Sequence, residues 1–172
     1  KERDYWRSVE QNELLTRKRT LQIEDFQVDT LGVEDALVHL LMHIVHHLLT
    51  EGIGLRQLCD FAVFLNSHVV ELDLVLLERH LKLIHHRNAF TAVVAFCHRY
   101  LGMPLESLNS HLAPSSRDYL YADRLMEEIL RGGNFGTKNT LEGVGFGLRR
   151  SLHTARLVFA HSFRFYHLAP KE

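Results

Sequence analysis

Four histidines lie on one flank of an apolar segment, at a spacing that would allow them to bind a metal ion. On a helix of 3.6 residues per turn, side chains four and seven positions apart lie on the same side. Two imidazoles with the i, i+4 spacing can bind one metal ion, although a stable site needs a third ligand and a second shell of hydrogen bonds. The four residues are His39, His43, His46 and His47.

The metal candidates in this segment are His39, His43 and His47, with Asp60 on the next predicted helix as a third ligand. Ile44 follows His43 directly, so the H-E-x-x-H pattern of a zinc protease is absent. In the alternative interpretation the histidines lie at the rim of a core, each paired with a carboxylate, a carbonyl or water. The sequence favours the interpretation in which the histidines lie at the rim of a core, and we do not expect a bound metal ion.

Arg56 and Asp60 stand four positions apart in the segment that follows. At this spacing they can form an ion pair with each other on a helix surface. Alternatively, Asp60 reaches back across a helical hairpin to orient His43 or His47, while Arg56 points at an anionic group. Because most ion-pair networks are structural, the sequence favours a structural polar cluster.

Glu71 and Asp73 are two acids separated by one residue, which is how strands of nucleotidyl-transfer sites hold paired divalent cations. The Gly-Ser turn that would cradle a phosphate does not precede them. Leu74, Leu77 and Leu81 instead have the spacing of a helix, and Asp73 stands where a helix is capped. The sequence therefore predicts a capping residue here rather than a magnesium site.

A glycine-rich stretch at 132–136 is a weak candidate for a phosphate site. Backbone N–H groups near Gly133 and Asn134, together with Lys138, could face a phosphate. The strand and the G-K-[ST] order of a P-loop are missing, and glycines that end a helix explain the first two residues without a ligand.

The C-terminal segment mixes arginines with aromatic residues. Such a mixture can bind single-stranded nucleic acid, with arginines on phosphates and aromatics on bases. It also suits an amphipathic helix whose aromatics pack on the domain. Four arginines supply few phosphate contacts, so packing is favoured and nucleic acid is not an expected partner. The residues are Arg149, Arg150, Arg156, Phe159, Phe163, Arg164, Phe165 and Tyr166.

Composition indicates one soluble globular domain of 172 residues, with 46% apolar and 24% charged residues. The formal net charge is -1, but residues 132–172 carry six basic and two acidic residues, a net +4. Cys59 and Cys97 lie in apolar runs, which suits buried, reduced thiols and predicts a cytoplasmic protein. No apolar run reaches the roughly 20 residues of a membrane span.

Helical periodicity dominates and predicts an all-α fold, a single bundle-like domain of about six to eight helices over residues 1–172. Its core would span 31–136, followed by the glycine-rich break at 132–139 and a basic C-terminal helix at 140–168. Alternation of apolar and polar residues is confined to a short run at 21–28. Predicted helices cover residues 4–15, 33–50, 55–66, 73–86, 88–100, 116–131 and 141–168.

In three stretches the chain resembles the helical C-terminal part of the uncharacterised nucleotidyltransferase family, a bacterial group. The stretches are Val33-Glu34-Asp35 before the histidine helix, Gly54-Leu55-Arg56-Gln57-Leu58-Cys59-Asp60-Phe61, and more distantly Ile129-Leu130-Arg131-Gly132-Gly133-Asn134-Phe135-Gly136. The likeness covers about residues 31–136.

The resemblance implies an N-terminal catalytic part with a polymerase-β-like fold. That part would use a Gly-Ser turn, an Asp-x-Asp strand and a third carboxylate to bind two magnesium ions and a nucleoside triphosphate. No acceptable copy of this set is present here. The family therefore supplies only His43, His47, Arg56 and Asp60, as groups facing a substrate or another domain.

The expected function is that of a helical accessory domain, which positions an acceptor substrate or closes over a catalytic domain lying before Lys1. The chain opens without a methionine and as if within an element, so we expect an excerpt of a longer enzyme. Two alternatives remain: a stand-alone helical interaction module that binds a protein or nucleic acid, and a histidine-ligated metal protein.

Overall fold

A computed structural model describes residues 16–50, 52–106 and 108–132 of the chain. This part holds five helices and one two-stranded antiparallel sheet. The predicted helices at 4–15 and 141–168, and the glycine-rich break after residue 132, lie outside the described residues. The elements are β1 (Arg19–Ile23), β2 (Phe26–Thr30), α1 (Val33–Thr50), α2 (Leu55–His68), α3 (Leu74–Leu83), α4 (Arg87–Leu101) and α5 (Ser116–Gly132).

The β1–β2 hairpin corrects the prediction of an all-α fold with six to eight helices. The fold is mostly helical, and the described residues contain five helices and this small sheet. The single short run expected at 21–28 is in fact two strands, joined where Ile23 pairs with Phe26. Glu24 takes a φ of 52° in the turn. Hairpin turns usually place glycine or asparagine at positive φ, so this turn carries no sequence signal.

Local contacts mark the ends of three helices. The Asp73 carboxylate accepts hydrogen bonds from the backbone N–H groups of Val75 (2.9 Å) and Leu76 (3.0 Å), which confirms it as the cap of α3. Ser115 precedes α5 and donates from its backbone N–H and its hydroxyl to the Asp118 carboxylate. Gly102 closes α4 with a left-handed φ of 70°.

Helix α4 is the centre of the core. Every residue from 89 to 97 is buried, and α1, α2, α3 and α5 all pack against this helix. Phe90 of α4 meets Phe61 of α2 edge to face, with ring centroids 5.9 Å apart. Helices α1 and α2 also pack on each other, as the predicted helical hairpin requires. Among the described residues, none of the helices has the length and apolar character needed to span a bilayer.

The two cysteines differ in environment. Cys97 of α4 is fully buried and its thiol lies 3.7 Å from the carbonyl oxygen of Leu58. Cys59 is only partly buried, so the expectation of two buried thiols holds for one of them. Both are free thiols.

Candidate functional site

The predicted histidine flank lies on the outer side of α1. His39, His43 and His46 are exposed and His47 is partly buried, while the apolar residues between them enter the core. The rings of His43 and His47 meet edge to face with centroids 4.3 Å apart, and His46 is 5.9 Å from His47. The imidazoles thus form a polar surface along the C-terminal half of α1.

Arg56 and Asp60 pair with each other on the surface of α2. Arg56 Nε lies 4.0 Å from Asp60 Oδ2, and the two side chains are 90% and 61% exposed. An exposed pair of this length adds little to stability. Among the contacts that the described residues show, Asp60 therefore engages Arg56, and a link from Asp60 to His43 or His47 is not one of them.

A third metal ligand is not brought to the histidine flank by the part of the chain that the structure describes. In those residues, no group of three or more histidine, cysteine, aspartate or glutamate side chains is arranged to hold a metal ion. The predicted i, i+4 pair of His43 and His47 is present, but two ligands alone make a weak site.

A cluster of buried polar residues, absent from the sequence predictions, lies where the hairpin meets the helices. Arg17 donates two hydrogen bonds to the Asp35 carboxylate, from Nε to Oδ2 at 3.1 Å and from Nη2 to Oδ1 at 3.2 Å. His80 Nδ1 lies 3.6 Å from the same Asp35 Oδ1. The Asp35 side chain is 1% exposed and Arg17 20%, so this is a buried, bidentate ion pair. We call Arg17, Asp35 and His80 the buried ionic cluster.

Local structure explains why these residues meet. Gly32 immediately precedes α1, and a Cβ there would lie 2.5 Å from the Arg17 carbonyl oxygen. Only glycine therefore allows the segment that precedes β1 to come this close to the start of α1. Asp35 lies in the first turn of α1, where the helix dipole favours a carboxylate. His80 lies on the buried face of α3 between Leu77 and Leu81.

Glu34 makes a second link between α1 and α3. Its carboxylate accepts a hydrogen bond from the backbone N–H of Asp73 at 2.8 Å, directly at the start of α3. Glu34 is itself buried. Together with the buried ionic cluster, this contact ties the base of the hairpin, α1 and α3 into one unit.

Burial keeps the His80 imidazole of the buried ionic cluster uncharged. Desolvation lowers the pKa of His80 below its ordinary value, and the Arg17 charge acts in the same direction, while neighbouring Asp35 opposes the shift. The imidazole is therefore neutral at pH 7, and Arg17 carries the charge that balances Asp35. With both carboxylate oxygens engaged by a guanidinium, Asp35 is arranged to hold elements together rather than to bind a metal ion.

Glu71 and Asp73, the paired acids of the sequence, are also engaged in structural contacts. Glu71 Oε1 lies 3.5 Å from Arg19 Nη1 and 3.7 Å from His68 Nε2. Asp73 caps α3 as described above. The weak phosphate candidates Gly133, Asn134 and Lys138 lie outside the described residues.

Sequence reasoning named Glu34 and Asp35 within the stretch that resembles a known family, and it did not predict that they are buried. A signal was present, because Asp35 shares a helix face with Val38 and Met42, which are apolar and buried. An acid on an apolar face implies a buried partner. The partners, 18 and 45 positions away, carry no local pattern that would identify them.

Comparison with known proteins identifies the family. The profile described as "Uncharacterised nucleotidyltransferase" matches residues 2–102, more than half of the chain, and the chain belongs to this family. The match starts well before the expected residue 31 and ends at the close of α4, so it does not include the glycine-rich stretch at 132–136. Searches of curated proteins and of solved structures return no match.

Proposed function

We propose that this chain is the helical accessory domain of a nucleotidyltransferase-related protein. It would position an acceptor substrate, or close over a catalytic domain that lies before Lys1 in a longer chain. Magnesium and a nucleoside triphosphate would be held by that catalytic domain, where the metal stabilises charge on the transferred phosphate. The family match supports the nucleotidyltransferase relationship.

The observation that carries this proposal is that three acids of the helical part, Glu34, Asp35 and Asp73, make structural contacts. The Asp35 carboxylate accepts hydrogen bonds from Arg17, and the Glu34 carboxylate accepts one from the backbone N–H of Asp73. Asp73 in turn caps α3. A two-metal site needs carboxylates that converge on a shared cavity with free lone pairs. These three acids instead hold elements of the fold in place, which suits a positioning domain.

The surface offered for positioning lies at the α1–α2 corner. His47 is near the end of α1 and Arg56 is near the start of α2, so both lie at the same end of the helical hairpin. With His43 and Asp60 they form a group of exposed or partly exposed polar side chains able to donate and accept hydrogen bonds. Such groups suit an anionic acceptor or the facing surface of a catalytic domain.

The test begins with the reading frame upstream of Lys1, in which a Gly-Ser turn and paired aspartates are expected. The extended protein and the 172-residue chain are then compared for magnesium-dependent release of pyrophosphate from mixed nucleoside triphosphates. We expect release by the extended protein only. An upstream frame without those residues, or equal release by both proteins, would refute the proposal.

The role of the α1–α2 corner is tested in the extended protein by Arg56→Ala. The matched control is Lys82→Ala, because Lys82 is also an exposed cation in an i, i+4 pair, with Glu78 at 2.9 Å. We expect Arg56→Ala to reduce pyrophosphate release and Lys82→Ala to leave it unchanged. Equal activities would remove the α1–α2 corner from the proposal.

A further inference from the structure

One face of the β1–β2 hairpin is apolar and open to solvent. In the antiparallel register Leu21 pairs with Val28 and Ile23 with Phe26, and cross-strand partners share a face. These four side chains are 42%, 41%, 54% and 71% exposed in that order. We call them the apolar hairpin face.

The opposite face is polar and ordered by its own contacts. Asp29 accepts hydrogen bonds from Lys18 Nζ at 2.6 Å and from Thr20 Oγ1 at 2.7 Å, and Gln22 pairs with Gln27 across the strands. The base of the hairpin is held by the Arg17–Asp35 ion pair. A two-stranded sheet is only marginally stable unless an apolar face is covered. An anchored hairpin with four exposed apolar side chains on one face therefore indicates a docking surface.

We propose that the apolar hairpin face is the docking surface for residues 141–168 of the same chain. Apolar residues recur in this segment at intervals of three and four, the spacing of one helix stripe. The stripe would present a long apolar surface ending in three aromatic rings. Its residues are Leu141, Val144, Leu148, Leu152, Ala155, Phe159, Phe163 and Tyr166.

The opposite net charges of the two parts of the chain favour docking of residues 141–168 on the apolar hairpin face. Residues 132–172 carry a net +4, and because the whole chain is at -1, residues 1–131 carry -5. At the tip of the hairpin, Glu24 and Asp25 are exposed beside Phe26. Arginines flanking the apolar stripe would meet these acids at the edge of the docked surface, where opposite charges favour one orientation.

The segment also has the length to reach the hairpin. Residues 133–140 can span up to about 28 Å when extended. A helix of 28 residues is about 42 Å long. A domain of roughly 130 residues has an expected radius of gyration of about 14 Å, so any face of it is within reach.

Photo-crosslinking of the full 172-residue chain identifies the occupant. Benzoylphenylalanine is placed at Phe26, and a control carries it at Gln27 on the polar face. We expect an intramolecular crosslink from position 26 to a peptide within 141–168, at monomer mass, and none to that peptide from position 27. A crosslinked dimer, a crosslink to another part of the chain, or no crosslink from position 26 would overturn the proposal.

Limited proteolysis supplies a second measurement. Trypsin cleaves after the arginines of the segment, and docking should protect those bonds. We expect Phe26→Asp to speed cleavage after Arg149, Arg150, Arg156 and Arg164 by about tenfold, since an apolar anchor is lost. Gln27→Asp adds the same charge on the opposite face and should leave the rate unchanged. Equal rates in both variants would also overturn the proposal.

Discussion

Arg17 and Asp35, 18 positions apart, form a bidentate ion pair whose carboxylate is almost completely buried. The pair joins the segment just before β1 to the first turn of α1. His80 of α3 lies against the same carboxylate, so three elements meet at one buried charge. The Asp35 carboxylate therefore couples the base of the N-terminal hairpin to α1 and α3.

Removing Arg17 should destabilise the protein strongly. In Arg17→Ala the buried Asp35 carboxylate loses the guanidinium that donates to both of its oxygens, and breaking a buried pair in this way costs about 3–5 kcal/mol. The free energy of unfolding from urea titration measures the effect. The control is Arg56→Ala, whose exposed pair should change stability by less than about 1 kcal/mol. Similar losses in both variants would show that the buried pair has no special role.

Substitution of Gly32 should displace the hairpin base from α1. In Gly32→Ala the new methyl group would lie 2.5 Å from the Arg17 carbonyl oxygen. The backbone must shift to relieve this overlap. We expect a loss of about 1–3 kcal/mol. Gly102→Ala is the comparison, because it meets no atom within 4 Å and only forces alanine into a φ of 70°. Thermal unfolding should show the larger effect at Gly32, and the reverse order would contradict the packing described here.

His80 should make stability depend on pH in the acidic range. Its pKa is lowered in the folded state, so the unfolded chain takes up this proton first as the pH falls. The stability contribution is complete above the ordinary histidine value of about 6.5 and is lost as the pH drops below it towards the folded-state pKa. His80→Gln should flatten the slope of unfolding free energy against pH between about 6.5 and 5.5. An unchanged slope in this variant would rule out the effect.

The two thiols should differ in reactivity. Burial raises the pKa of Cys97 to about 12, so its reactive thiolate is scarce at pH 8. A thiol reagent applied to the folded protein should spare Cys97 and modify it only after unfolding in denaturant. Measurement in a Cys59→Ser variant isolates this thiol. Fast modification of Cys97 in the folded variant would mean that the core around α4 opens readily.

Sequence periodicity was sufficient for the five described helices. The predicted bounds of α1 agree with Val33–Thr50, and those of α2 differ from Leu55–His68 by two residues. Local signals explain this success, since Asp73 and Gly102 act on their own helix ends. The hairpin was missed because Glu24 occupies the position where a turn usually shows glycine. The burial of Asp35 was not predicted, because its partners Arg17 and His80 are distant in sequence.

For the candidate site the sequence supplied the residues but not their relationships. The pairing of Arg56 with Asp60 follows from helix spacing, and so does the edge contact between His43 and His47. Whether Asp60 turns to its own helix or to α1 depends on side-chain conformation and on how the two helices pack, which no spacing rule determines.

We propose that Glu34, Asp35 and Asp73 are engaged in structural contacts, while metal-dependent chemistry belongs to a separate catalytic domain. The most direct measurement is a manganese titration of the 172-residue chain with ATP, followed by electron paramagnetic resonance, with manganese replacing magnesium. We expect all manganese to remain free or bound to ATP alone. Two protein-bound manganese ions per chain, lost in an Asp35→Asn or Asp73→Asn variant that still folds, would contradict it.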